Sequence, residues 1–215
     1  MKKFAVVLSG CGVYDGSEIG EAMMTLLALE EAGCAYAIFA PDKPQMHAIN
    51  HLTGEPMPEN RSVLAESARI ARGKVRPLTD YKAADFDGLV FPGGFGAAKN
   101  LSTFAVDGAA MKVDAEVERA VNETREAGKL LAAMCIAPVI LGKLIKGVQV
   151  TVGHDEATNE ALRQMGAEPK NVFGPEVVCD ARNKVYTTPC YMLPDATLAM
   201  VAACCRKLVE ELAKA

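Results

Sequence analysis

Three short stretches carry the residue types that could do chemistry. The first is Ala133-Met134-Cys135-Ile136-Ala137. An apolar run ends there, one cysteine follows, and a helical pattern starts at once. Small residues two before and two after the sulfur suit a sharp strand-to-helix turn that exposes a nucleophile at the end of a sheet. A helix N-terminus beside the sulfur is expected to favour the thiolate, and Pro138 suits the first helical turn. The competing reading is a plain buried cysteine at a strand end. The second stretch is Pro92-Gly93-Gly94-Phe95-Gly96. Glycines after a strand leave backbone N–H groups free to hold an oxyanion, or they make only a tight turn. The third is Tyr14-Asp15-Gly16-Ser17-Glu18. Its glutamate could act as general acid or base beside a thiol, or could simply complement a helix N-terminus.

The surrounding pattern has to bring these stretches together. Short apolar runs alternate with longer amphipathic ones, which predicts a parallel sheet covered by helices. Strands are expected at 4–8, 35–39, 88–91, 130–134 and 148–152, with a pair at 177–179 and 184–188. Helices are expected from Ser17 as N-cap to about residue 31, near 62–72, at 114–127, from 136 to 144, at 156–165, and from Asp195 as N-cap towards 213. All three chemical stretches then follow strands, so they share the carboxyl end of one sheet, where open α/β sheets place their ligands. The chain reads as one domain, residues 1–215, with a polar insertion at about 42–80 lying over it.

Composition narrows the function. The chain has 215 residues, a formal net charge of -4 and 23% charged residues. No basic stripe suggests a nucleic-acid partner, and no run approaches the length of a membrane span. Leu8-Ser9-Gly10-Cys11 imitates a lipoprotein cleavage box, but the apolar run before it is too short for a secretory core. Seven cysteines with no C-x-x-C pair argue against a disulfide framework and a zinc ribbon. That usage points to a reducing, cytoplasmic location. Gly10-x-Gly12 hints at a dinucleotide loop, but Asp15 occupies the third glycine position, so no nicotinamide cofactor is expected. His47 and His51 stand four apart without an acidic third ligand. They read as polar residues of a lid or dimer contact, and no metal is expected.

The same stretches extend into longer ones: residues 8–18, Phe39-Ala40-Pro41-Asp42-Lys43, Asn50-His51-Leu52-Thr53-Gly54-Glu55, residues 92–101, Met134-Cys135-Ile136-Ala137-Pro138, Thr187-Thr188-Pro189 and Tyr191-Met192. On these, nearly the whole chain resembles the ThiJ/PfpI-type superfamily, a relative of class I glutamine amidotransferases. Within it the chain is similar to the ElbB-type glyoxalase-like proteins, once described as isoprenoid biosynthesis proteins with an amidotransferase-like domain. The resemblance implies a flavodoxin-like three-layer α/β sandwich with a mostly parallel sheet and helices on both faces, assembled as a homodimer. It implies cofactor-free conversion of a small dicarbonyl, glyoxal, to glycolate. In that scheme Cys135 forms a thiohemiacetal, Glu18 lies against it and moves protons, and N–H groups near Gly93, Gly94 and Ile136 hold the oxyanion.

His154-Asp155-Glu156 imitates the His-x-Glu of an amidotransferase triad, but it follows Cys135 closely and Asp155 could simply cap a helix. His154 is therefore a third candidate only, which puts glutaminase activity in doubt. The rival readings are a non-enzymatic redox sensor using a low-pKa Cys135, a degenerate amidotransferase subunit, and a hydrolase or peptidase.

Overall fold

The computed structural model describes residues 1–215. The chain runs β1 (Lys3–Val7), α1 (Ile19–Glu31), β2 (Ala35–Ala40), a small hairpin β3 (Ala48–Ile49) and β4 (Pro56–Met57), then α2 (Val63–Ile70) and β5 (Val75–Pro77). It continues through β6 (Gly88–Phe91), α3 (Phe95–Lys99), α4 (Phe104–Asp107), α5 (Ala115–Glu126), β7 (Leu130–Met134) and α6 (Pro138–Leu144). The last part comprises β8 (Gln149–Val150), α7 (Glu156–Met165), β9 (Glu168–Pro169), β10 (Val178–Asp180), β11 (Val185–Thr188) and α8 (Leu198–Lys214).

Seven strands form one sheet in the order β10-β11-β7-β6-β1-β2-β5, and only β10 runs against its neighbour. The central strands are apolar throughout because both faces are covered. In β1, Ala5 and Val7 face one core while Phe4 and Val6 face the other. In β7, Leu131 and Ala133 join the first core, and Leu130, Ala132 and Met134 the second. The first core is closed by α5, α6 and α7 through Val117, Val121, Ile140 and Leu162. The second is closed by α1 and α8 through Leu26, Leu29, Val201 and Leu208. This is a flavodoxin-like sandwich, as the sequence implied.

From β1 the chain turns outward to β2, then returns to place β6 on the other side of β1. Strand order therefore reverses between β1 and β6, the usual place for a ligand crevice in such sheets. The polar stretch expected as an insertion contributes β3, β4 and α2 outside the sheet. Its last part does not lie outside, because β5 pairs in parallel with β2 through Ile38 and Val75. Two caps also differ from expectation. Glu18, not Ser17, caps α1, since the Ser17 hydroxyl is taken up by the Ser9 N–H at 2.9 Å. Thr197, not Asp195, caps α8.

Asn100, 1% exposed, ties the loop after β1 to the segment before β3. Its Nδ2 donates to Ser9 O and Asp15 O, both at 2.8 Å, and its Oδ1 accepts from Met46 N at 2.9 Å. Asn100→Ala leaves two buried carbonyls, Ser9 O and Asp15 O, and the partly buried Met46 N–H without partners. It is expected to lower unfolding stability by roughly 2–4 kcal/mol in denaturant titration. A change within about 0.5 kcal/mol would mean that these groups find other partners.

Candidate active site

Cys135 stands where β7 ends and the chain enters α6. Its φ is +58°, a left-handed conformation that a side chain adopts only under constraint. The constraint is visible on both sides: Cys135 N donates to Thr188 O at 3.1 Å, and Ala137 N turns back to Met134 O at 3.0 Å. The cysteine is buried, 7% exposed.

The carboxyl group at this sulfur is Glu21, which the sequence reading passed over. Glu21 sits in the first turn of α1 and is fully buried. Its Oε2 accepts from Gly93 N at 3.0 Å and its Oε1 from Tyr191 N at 3.2 Å. Its carboxyl and the Cys135 thiol lie against each other and perturb each other's acidity. Gly93 has to be glycine: a Cβ there would collide with the Cys135 Cβ and come within 2.5 Å of Glu21 Oε2 and 3.0 Å of Cys135 Sγ. The helical pattern held the signal that was missed. Glu21 shares a face with Thr25 and Ala28, all buried, so it is the one acid on the apolar stripe of α1.

Glu18 is placed differently from the expectation. Its side chain is committed to capping α1, with Oε2 accepting from Glu21 N at 2.6 Å. Its own N–H donates to Gly93 O at 2.9 Å, fixing the glycine turn. It stands next to the pair rather than against the sulfur. The oxyanion group is also revised. Gly93 N–H is already given to Glu21, whereas the N–H groups of Gly94 and Ile136 have no other acceptor and favour the Cys135 thiolate. His154 does not join the site through its contacts. Gly153 turns with φ +75°, and the imidazole stacks on Phe173 at 4.7 Å with Nδ1 3.4 Å from Val172 O. His51 lies instead over the loop after β1, where its Nε2 accepts from Tyr14 N at 3.2 Å. No group of three or more His, Cys, Asp or Glu side chains is arranged to hold a metal ion.

Burial governs the electrostatics. It pushes Glu21 up to about 8, with the Glu18 charge adding to the rise and the Tyr191 and Gly93 N–H groups opposing it. Cys135 is likewise pushed well above the ordinary thiol range, first by burial and then by the Glu21 carboxylate. The Gly94 and Ile136 N–H groups pull the other way without winning. The thiolate expected from the helix N-terminus is therefore not the resting state. A neutral thiol faces a carboxyl group that can gain or lose its proton near neutral pH.

The model of the DJ-1/PfpI family matches residues 11–201. The chain is 49% identical to the human "Glutamine amidotransferase-like class 1 domain-containing protein 3, mitochondrial", over 97% of this chain and 82% of that protein. It is 53% identical to the rat "ES1 protein homolog, mitochondrial", over 88% of this chain and 75% of that one. Among solved structures, an Ehrlichia chaffeensis isoprenoid biosynthesis protein with an amidotransferase-like domain superposes with a TM-score of 0.91 at 33% identity, covering 99% of both chains. These names overturn the cytoplasmic location read from cysteine usage, since the human, rat and zebrafish relatives are all named mitochondrial.

The Glu21 shift makes stability depend on pH. A carboxyl raised from 4.5 to about 8 binds its proton more tightly when folded. Its contribution is complete below pH 4.5 and is lost as pH rises through about 8, at roughly 1.4 kcal/mol per pKa unit. Glu21→Gln removes that titration, although its amide must set a donor against the Gly93 or Tyr191 N–H. Melting curves at about pH 5 and about pH 8.5 should show the wild type losing several degrees more than the variant. Equal losses would contradict a proton held at Glu21.

Proposed function

Because the chain belongs to the DJ-1/PfpI family, we propose that it is a cofactor-independent, cysteine-dependent glyoxalase acting on small uncharged dicarbonyls such as glyoxal. The observation that carries this reading is the buried Cys135–Glu21 pair on either side of Gly93, with the N–H groups of Gly94 and Ile136 left without another acceptor. Two carboxyl groups, Glu18 and Glu21, and no cation rank among the strongest influences on that pair, which suits an uncharged carbonyl better than a carboxylate.

In the proposed cycle Glu21, in its carboxylate form, takes the thiol proton as the sulfur adds to one aldehyde. The alkoxide forms where the Gly94 and Ile136 N–H groups can stabilise it, and protonation gives the thiohemiacetal. Glu21 then removes the proton on the sulfur-bearing carbon. The electron pair forms an enediol, and the same proton returns to the neighbouring carbon. The product is a glycolyl thioester on Cys135. Water attacks its carbonyl, the C–S bond breaks, and glycolate leaves with the thiol restored. The net change is glyoxal plus one water to glycolic acid, with no oxidant. A carboxyl near pKa 8 suits both directions of proton movement at neutral pH. Glu21 replaces Glu18 as the acid/base in this scheme.

The glutaminase reading that the relatives' names suggest requires an imidazole at the thiol, and His154 is engaged by Phe173. The redox-sensor reading requires a readily ionised thiol, and Cys135 is shifted the other way. A homodimer belongs to the proposal. The exposed stripe of Ile19, Met23 and Leu27 on α1, beside Leu198, supplies an apolar surface for it.

Glycolate formation from glyoxal by the purified protein tests the reading. Wild type is expected to turn over, while Cys135→Ala and Glu21→Ala lose at least about a hundredfold in kcat/KM. Wild-type activity no higher than that of folded Cys135→Ala would reject the enzyme.

A further inference from the structure

Glu18 stands one helical turn before Glu21 and touches both halves of the site's scaffold. Its side chain receives the N–H of Glu21 itself at 2.6 Å. Its backbone N–H holds Gly93 O at 2.9 Å, in the turn whose Gly93 N–H serves Glu21 and whose Gly94 N–H favours the thiolate. The carboxylate packs over Gly20, where an added Cβ would lie 3.0 Å from Glu18 Oε2. The cap hydrogen bond holds this carboxylate one helical turn from the Glu21 side chain.

We propose that Glu18 is a positioning residue whose negative charge keeps the proton on the Glu21 carboxyl beside Cys135. The groups facing Glu21 from other elements make this role distinctive. They are Cys135 from the elbow, Tyr191 and Cys190 from the turn after β11, and Cys205 of α8, whose Sγ lies 3.8 Å from Glu21 O. None is a cation, so none offsets the field of Glu18. A carboxylate this close disfavours a second charge at Glu21. Burial first, and then the Glu18 charge, also raises the Tyr191 phenol, so the field of Glu18 reaches the turn that donates to Glu21.

The role goes beyond capping, and it deepens the proposed function by naming what tunes its acid/base. Glu18→Gln separates the two, because the amide oxygen still accepts the Glu21 N–H while the charge is gone. The direct readout is a carboxyl carbon-13 NMR titration of protein labelled at glutamate, with the Glu21 signal identified by its loss in Glu21→Gln. Wild-type Glu21 is expected to titrate near 8. Glu18→Gln should lower the midpoint by about one unit, a tenfold change in its acid dissociation constant. An unchanged midpoint in the folded variant would reduce Glu18 to a helix cap and overturn the proposal. The same variant should shift the acidic limb of the glyoxal kcat/KM profile downward by a like amount. Should the protein not turn over glyoxal, the NMR titration still decides the role of Glu18, so the two readings fail separately.

Discussion

The hydrogen bond from Gly93 N to Glu21 Oε2 is the interaction on which the site depends. It anchors a carboxyl group with no access to solvent beside a thiol that has almost none. An acid in that position is costly to ionise, so it must be neutral or well supported by donors. The fold supplies two donors from two directions, Gly93 after β6 and Tyr191 after β11. The acid comes from α1, after β1, and the thiol from the end of β7. Four strand ends thus meet on one group, and the parallel sheet sets their spacing.

Local strain follows from the same convergence. Cys135 adopts φ +58° and Cys190 φ +45°, the two non-glycine left-handed residues nearest the site. Each turns its chain sharply beyond a strand end. One turn sets the sulfur, with the free N–H of Ile136 next to it, across Gly93 from Glu21, and the other aims Tyr191 N at the acid. Gly93 and Gly94 let the intervening loop approach both. A methyl group at Gly93 would meet the cysteine and the glutamate together. The electrostatic outcome is a matter of magnitudes. Two backbone donors favour the thiolate, but full burial and a neighbouring carboxylate outweigh them.

Much of this was legible in the sequence because it rests on local patterns. The apolar runs ending at Val7, Phe91 and Met134 are buried on both faces, and the abrupt change of pattern at Cys135 marked the elbow. Glu21 was passed over in favour of Glu18. Glu18 adjoins the glycine loop, which makes it look like the reactive acid, yet a residue at that point is the natural cap. Glu21 betrays itself only through its register with Thr25 and Ala28. His154 was open in the sequence, which offered it both as a third candidate and as a surface residue before a helix; the left-handed Gly153 precedes it and its imidazole stacks on Phe173. The direction of the thiol shift was not legible at all. The helix N-terminus is visible in a sequence, whereas the burial that overrides it depends on strands far away in the chain.

The most direct test of a resting neutral thiol beside Glu21 is the pH dependence of Cys135 alkylation by iodoacetamide, followed by mass spectrometry on the intact protein. The account predicts that the rate keeps rising beyond pH 9, the ordinary thiol value, and that Glu21→Gln moves the profile to lower pH by removing the carboxylate charge. A wild-type rate that reaches its plateau at or below neutral pH would contradict it, because the resting site would then hold a thiolate.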